Sequence, residues 1–224
     1  MSNSNDLFVR EVDEELRQDK LKSVWRRFGT ILISAAVAVV LAVAAWTGYQ
    51  TWSENRANAS GDRFLAALNA ARDGNADEAL KGLNALEADG TGAYPLLARF
   101  KAATLTAAKN PKGAIAAFDA VAADNTVAQP LRDIAKLRAA YLLVDHGTYA
   151  DVAARAEALS ADGNPMRYSA LESMGLAAYK AGDNANAQKL FELITADSAA
   201  PQSLAQRAQI MLSLIGGTAP KAGS

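Results

Sequence analysis

From Phe28 to Ser53 the chain runs twenty-six residues without a charge, and its centre holds Ile31, Leu32, Ile33, Val37, Val39, Val40, Leu41 and Val43 with only Ser34 and alanines between them. As a helix rising about 1.5 Å per residue, Phe28 to Tyr49 reaches about 33 Å, against a bilayer hydrocarbon core of about 30 Å. The pattern predicts a transmembrane helix over residues 28–53. Ahead of it, Phe8, Val9, Val12 and Leu16 recur at helical spacing among Glu11, Asp13, Glu14, Glu15, Arg17 and Asp19, which predicts a short amphipathic leader over residues 1–27. Beyond Asn55 the apolar positions keep the helical period and fall into a longer repeat.

Four segments align, starting at Gly74, Lys109, Gly147 and Gly182. Five residues into each stands a small or β-branched residue, Ala79, Ala114, Val152 and Ala187, at successive spacings of 35, 38 and 35. A period near 34 is that of tetratricopeptide helix-turn-helix units. Each glycine or polar turn ends a first helix, because a residue tolerant of positive φ closes a tight connection. Asn75, Asn110, Thr148 and Asp183 then offer side-chain oxygens to the free amides of a second helix, and Pro111 presets its first turn. The small residue lets the two helices approach; Leu83, Phe118 or Phe191 fills the gap, and Leu86, Val121, Leu159 and Ile194 continue the stripe. First helices are expected near residues 59–72, 94–108, 131–146 and 166–181, with Met174-Gly175 making the fourth pair the most regular. A last helix, 202–214, turns Leu204, Ala208, Met211, Leu212 and Ile215 inward and Gln206 and Gln209 outward, as a solenoid cap does. The expected architecture is all-α: one N-terminal transmembrane helix, then a tetratricopeptide-like α-solenoid over residues 54–215, of about four helix pairs plus the capping helix. Residues 216–224 read as a disordered tail, polar and rich in Gly and Pro.

The flanks of the apolar run orient it. Arg17, Lys20, Lys22, Arg26 and Arg27 precede it against the single acid Asp19, while only Glu54 and Arg56 follow closely, so basic residues hold the N-terminus inside and send the repeats outside. Trp25 marks one edge; Trp46, Tyr49 and Trp52 mark the other. The rival is a cleaved signal peptide ending at Ala42-Val43-Ala44, which makes the chain an exported soluble adaptor in envelope assembly or cell division. The length of the apolar run, the long and half-acidic leader and the aromatic anchors favour the uncleaved helix.

Composition narrows the chemistry. The net charge is −1 without a basic cluster, so nucleic acid is not a partner. Cysteine is absent and histidine occurs once, as His146 at a helix end, where a cation has a structural role. The usual transition-metal sites lack ligands, and neither a glycine-rich phosphate loop nor a hydrolase elbow is present. No catalytic residue, cofactor or metal is expected, and the chain reads as a binding protein rather than an enzyme.

Two candidate contact surfaces remain. By register the first helices turn Phe64, Leu68, Arg99, Ala103, Arg138, Tyr141, Glu172, Tyr179 and Lys180 toward a concave groove. Arg99, Arg138, Tyr141, Glu172 and Tyr179 are the candidates for partner binding, since Arg and Tyr dominate binding energy once desolvated; Tyr141 and Tyr179 equally suit packing between repeats. Within the apolar run, Ser34, Ala38 and Ala42 form a small-residue stripe that admits a second transmembrane helix.

The opening Asp6-Leu7-Phe8-Val9-Arg10-Glu11-Val12-Asp13-Glu14-Glu15-Leu16-Arg17, the Trp25-Arg26-Arg27 before a single span, and the repeats beyond it resemble the YfgM-like family, ancillary subunits of the bacterial Sec translocon. That resemblance implies a single-pass inner-membrane protein with a periplasmic domain, working beside the translocon and a periplasmic membrane-anchored chaperone on secreted polypeptides. It brings no catalytic residues.

Overall fold

The computed structural model describes the backbone of residues 3–218 and the side chains of residues 25–217. Every regular element in it is helical: α1 Asn3–Arg72, α2 Ala76–Asp89, α3 Tyr94–Ala107, α4 Pro111–Ala123, α5 Gln129–His146, α6 Tyr149–Ala156 with a 3-10 turn Glu157–Ser160, α7 Arg167–Lys180, α8 Asn184–Thr195 and α9 Gln202–Thr218. The chain divides into residues 1–58 and 59–224.

In the first unit, α1 carries the apolar run with its side chains outward. Ile31, Val40 and Trp46 are 63%, 66% and 71% exposed. Among the described residues this is the one helix long and apolar enough to cross a membrane, with a mean hydropathy of 2.5 over an 18-residue stretch. Two of its hydroxyls bond back to the preceding turn: the Thr47 hydroxyl donates to the Val43 carbonyl at 2.9 Å and the Thr51 hydroxyl to the Thr47 carbonyl at 3.0 Å. At the end of the run the Arg56 guanidinium lies 4.3 Å over the Trp52 ring. The leader's apolar stripe, Phe8 to Leu16, lies outside the described side chains.

The second unit is a stack of antiparallel pairs: the end of α1 with α2, α3 with α4, α5 with α6, α7 with α8, and α9 last. Ala79, Ala114, Val152 and Ala187 are fully buried where the paired helices meet. Leu83, Leu86, Phe191 and Ile194 are also fully buried, and Phe118, Val121 and Leu159 are at most 2% exposed. Each such large side chain contributes about 1.5–3 kcal/mol by burial. The paired helices approach closely at Gly175, where a Cβ would stand 2.9 Å from the Phe191 ring. The longer second spacing is absorbed as one extra turn: α5 has 18 residues where α3 and α7 have 14.

Ion pairs close the hairpins at their open ends. Arg63 meets Asp89 at 2.7 Å, Arg99 meets Asp124 at 2.8 Å, and Arg167 meets Asp197 at 3.3 Å with Tyr168 donating to the same carboxylate at 2.8 Å. In each case a residue early in a first helix reaches the end of its own second helix.

Three local expectations need correction. Gly74 and Gly182 do adopt φ of 86° and 78°, but Gly147 has φ −135°, an extended backbone; it is needed for space, because a Cβ there would stand 2.7 Å from Leu143 Cδ2. Asn110, Thr148 and Asp183 cap their helices, Thr148 in a reciprocal box with Asp151, whereas Asn75 makes no side-chain cap. The final helix does not stop at Leu214. Its packed face, Leu204, Ala208 and Ile215, carries it through Gly216-Gly217 to Thr218; residues 219–224 lie outside the described residues.

Candidate protein-binding groove

Stacked first helices place equivalent positions side by side. The repeat spacings align Arg99 of α3, Ile134 of α5, Glu172 of α7 and Arg207 of α9. Glu172 is consequently next to Arg207, and the two form a bidentate pair: Arg207 Nε donates to Oε1 at 2.5 Å and Nη2 to Oε2 at 2.9 Å. From the other side the Tyr141 hydroxyl donates to Oε2 at 2.6 Å. A carboxylate only 4% exposed is thereby satisfied by three donors from two flanking helices. A bidentate guanidinium is the partner that suits a carboxylate out of water.

The electrostatics follow from burial and pairing. Burial, reinforced by the Glu172 carboxylate, pushes the Tyr141 phenol above its ordinary value, with the Arg207 charge pulling weakly the other way. Hydrogen bonding to Glu172 raises the Arg207 guanidinium. Tyr141 is therefore a neutral donor and Arg207 a fixed cation at any physiological pH.

Around this trio opens a pocket of about 480 Å³ lined by Tyr141, Glu172, Leu176, Arg207, Ile210 and Met211. Its wall is apolar and accessible: Ile210 is 60% exposed. Of the residues expected in the groove, Tyr141 and Glu172 meet here. Arg138 is exposed one helical turn before Tyr141. Tyr179 packs against the main hydrophobic cluster. Lys180 donates to the carbonyls of Val144 and Asp145 at the end of α5, so it serves as a cap across repeats. Phe64 stacks at 6.1 Å from Tyr94, and Ala103 is buried.

Arg99 belongs to a different pocket, of about 420 Å³, between the turns that precede α3 and α5, with Glu87, Gly92, Pro95, Thr126 and Ala128 around it. There it pairs with Asp124 and stands 3.7 Å from Glu87. The Thr126 hydroxyl, with Arg99 second, holds the Asp124 carboxyl down at about 2. Ser34, Ala38 and Ala42 lie at one-turn intervals on α1, all exposed.

Arg207, Ile210 and Met211 were missed by a reading that treated α9 as a cap. The signal was present in the spacing: Arg207 follows Glu172 by 35 residues, the same interval that separates Ala79 from Ala114. Among the described residues no cluster of His, Asp and Glu is arranged to hold a metal.

A family model described as a tetratricopeptide repeat-like domain matches residues 22–216. No curated protein matches the chain, and no solved structure does.

Proposed function

The chain belongs to the tetratricopeptide repeat-like domain family, and from that premise we propose that it is a membrane-anchored module that binds other proteins through the C-terminal half of its helical stack. The observation that carries the anchoring is the uncharged stretch of α1, whose large apolar side chains stand more than half exposed along most of its length. Such a surface is unfavourable in water and favourable in lipid, at about −0.3 to −0.6 kcal/mol for each aliphatic side chain. The excess of Arg and Lys before the stretch keeps the N-terminus cytoplasmic and presents the repeats on the far side, which in a bacterial inner membrane is the periplasm. Ser34, Ala38 and Ala42 then offer a close-packing stripe to a neighbouring transmembrane helix.

The mechanism is positional. A tether confines the domain to a thin layer at the membrane, which raises its effective concentration toward partners held or emerging there without any added contact. The likeness of the leader and architecture to the YfgM-like family supports a place beside the Sec translocon, with a membrane-anchored chaperone as co-worker and secreted polypeptides as clients. Photoreactive residues at Tyr141 and Tyr179 in native membranes test this: adducts with a secretion component are expected, and their absence removes the translocon assignment. Release of the protein by alkaline carbonate, or a mature chain beginning near Ala45, removes the anchor and leaves the exported adaptor.

A further inference from the structure

The pocket between α5, α7 and α9 contains two opposite charges that already satisfy each other. Glu172 takes Nε and Nη2 of Arg207 and the Tyr141 hydroxyl. Among the described residues the Arg207 hydrogen bonds run from Nε and Nη2 and leave Nη1 available, and the Arg207 side chain is 55% exposed. The rest of the wall is Leu176, Ile210 and Met211. An apolar wall with one free donor edge and no net charge defines a chemistry.

We propose that this pocket binds an extended, uncharged polypeptide segment, which inserts a large apolar side chain against Ile210 and Met211 and offers a backbone carbonyl to Nη1 of Arg207. The inference rests on the domain being an interaction module and names its partner's chemistry. Charge complementarity selects a neutral segment. A carboxylate arriving at Arg207 meets the Glu172 carboxylate beside it, and a cation meets Arg207 itself, each a like-charge contact in a partly desolvated site. Extension follows from the free donor: carbonyls inside a helix are engaged with their own amides, whereas an extended strand leaves them available and turns alternate side chains to one face. The volume lies within the about 300–1,000 Å³ usual for pockets that enclose a small ligand. The occupant is thus an unfolded stretch of chain rather than the surface of a folded domain.

Fluorescence anisotropy on the full chain in lipid nanodiscs, with empty nanodiscs subtracted, tests it. The probes are labelled peptides sharing a Leu-Phe-Leu core between glycines and serines, with the serines retained, replaced by glutamates, or replaced by lysines. The neutral peptide should bind about tenfold tighter than either charged one. Ile210→Asp, at an exposed position that leaves the fold intact, should weaken the neutral peptide about tenfold or more. Glu172→Gln should free the Arg207 charge and bring the acidic peptide level with the neutral one or past it. No binding of the neutral peptide, tighter binding of the acidic peptide to the unmodified chain, or an unchanged affinity in Ile210→Asp overturns the proposal. Membrane retention and crosslinks at Tyr141 are read separately, so failure here with those intact removes the pocket chemistry and leaves the module standing.

Discussion

Arg99 and Arg207 occupy the same position in two repeats and have opposite environments. Arg99 turns to the open end of its own hairpin, where Asp124 meets it at 2.8 Å, with Glu87 of the preceding helix at 3.7 Å. Arg207 turns sideways to the neighbouring first helix, where Glu172 is buried and Tyr141 closes the far side. The first arrangement fastens one helix pair and leaves charge at the surface. The second joins three repeats and leaves an electrically quiet, apolar pocket beside it. A degenerate repeat can therefore keep its geometry and assign one position to closing a hairpin in one place and to joining neighbouring repeats in another.

The contrast can be broken by substitution. Arg207→Ala leaves a buried carboxylate short of two donors and should lower unfolding stability by about 2–3 kcal/mol in urea titrations. Tyr141→Phe removes one hydrogen bond to the same carboxylate and should lower it by about 1 kcal/mol. Arg99→Ala removes a guanidinium from a carboxylate that keeps both Thr126 donors, and should lower it by about 1 kcal/mol. A loss for Arg99→Ala equal to that for Arg207→Ala erases the distinction.

Titration sharpens it further. The Asp124 carboxyl ionises at about 2 in the fold against an ordinary 3.8, so the unfolded chain binds its proton first as pH falls. Its stabilisation is complete above about pH 4 and disappears as pH drops toward 2. Thermal unfolding across that window should show a smaller acid loss in Asp124→Asn than in the unmodified chain. Tyr141 has the opposite sense. Its pKa is raised in the fold, so its contribution is full below about pH 10 and declines above it. An alkaline absorbance titration should find Tyr141 and Tyr168 ionising late, and Glu172→Gln should bring only Tyr141 earlier.

Most of the fold was legible because it rests on local rules. A small residue five positions into each segment and a large one four later set the helix pairing, and Ala79, Ala114, Ala187, Leu83 and Phe191 are buried accordingly. What escaped depends on neighbours that a one-dimensional pattern does not display. Gly147 reads as a left-handed turn until the Leu143 side chain occupies the space a Cβ would need. Gly216-Gly217 reads as a stop until the packing of Ile215 carries α9 past it. Tyr141 and Glu172 were recognisable as candidates, yet the third member of their cluster stood in a helix read only as an end piece. Treating α9 as a fifth first helix aligns Arg207 with Glu172 at once. Arg99 shows the converse: register turns it toward the groove, while in the structure its acidic neighbours at the hairpin turns engage it.

The absence of cysteine makes a direct test of the tethered arrangement simple, since any introduced thiol is unique. Ser4→Cys and Ser213→Cys, each in otherwise unmodified chain, are exposed to a membrane-impermeant maleimide in cells whose outer membrane has been made permeable and whose inner membrane is intact. Labelling at position 213 and protection at position 4 until lysis is the predicted result. Labelling at position 4 with protection at 213, or equal labelling of both before lysis, contradicts an N-terminal anchor that presents the helical stack on the far side.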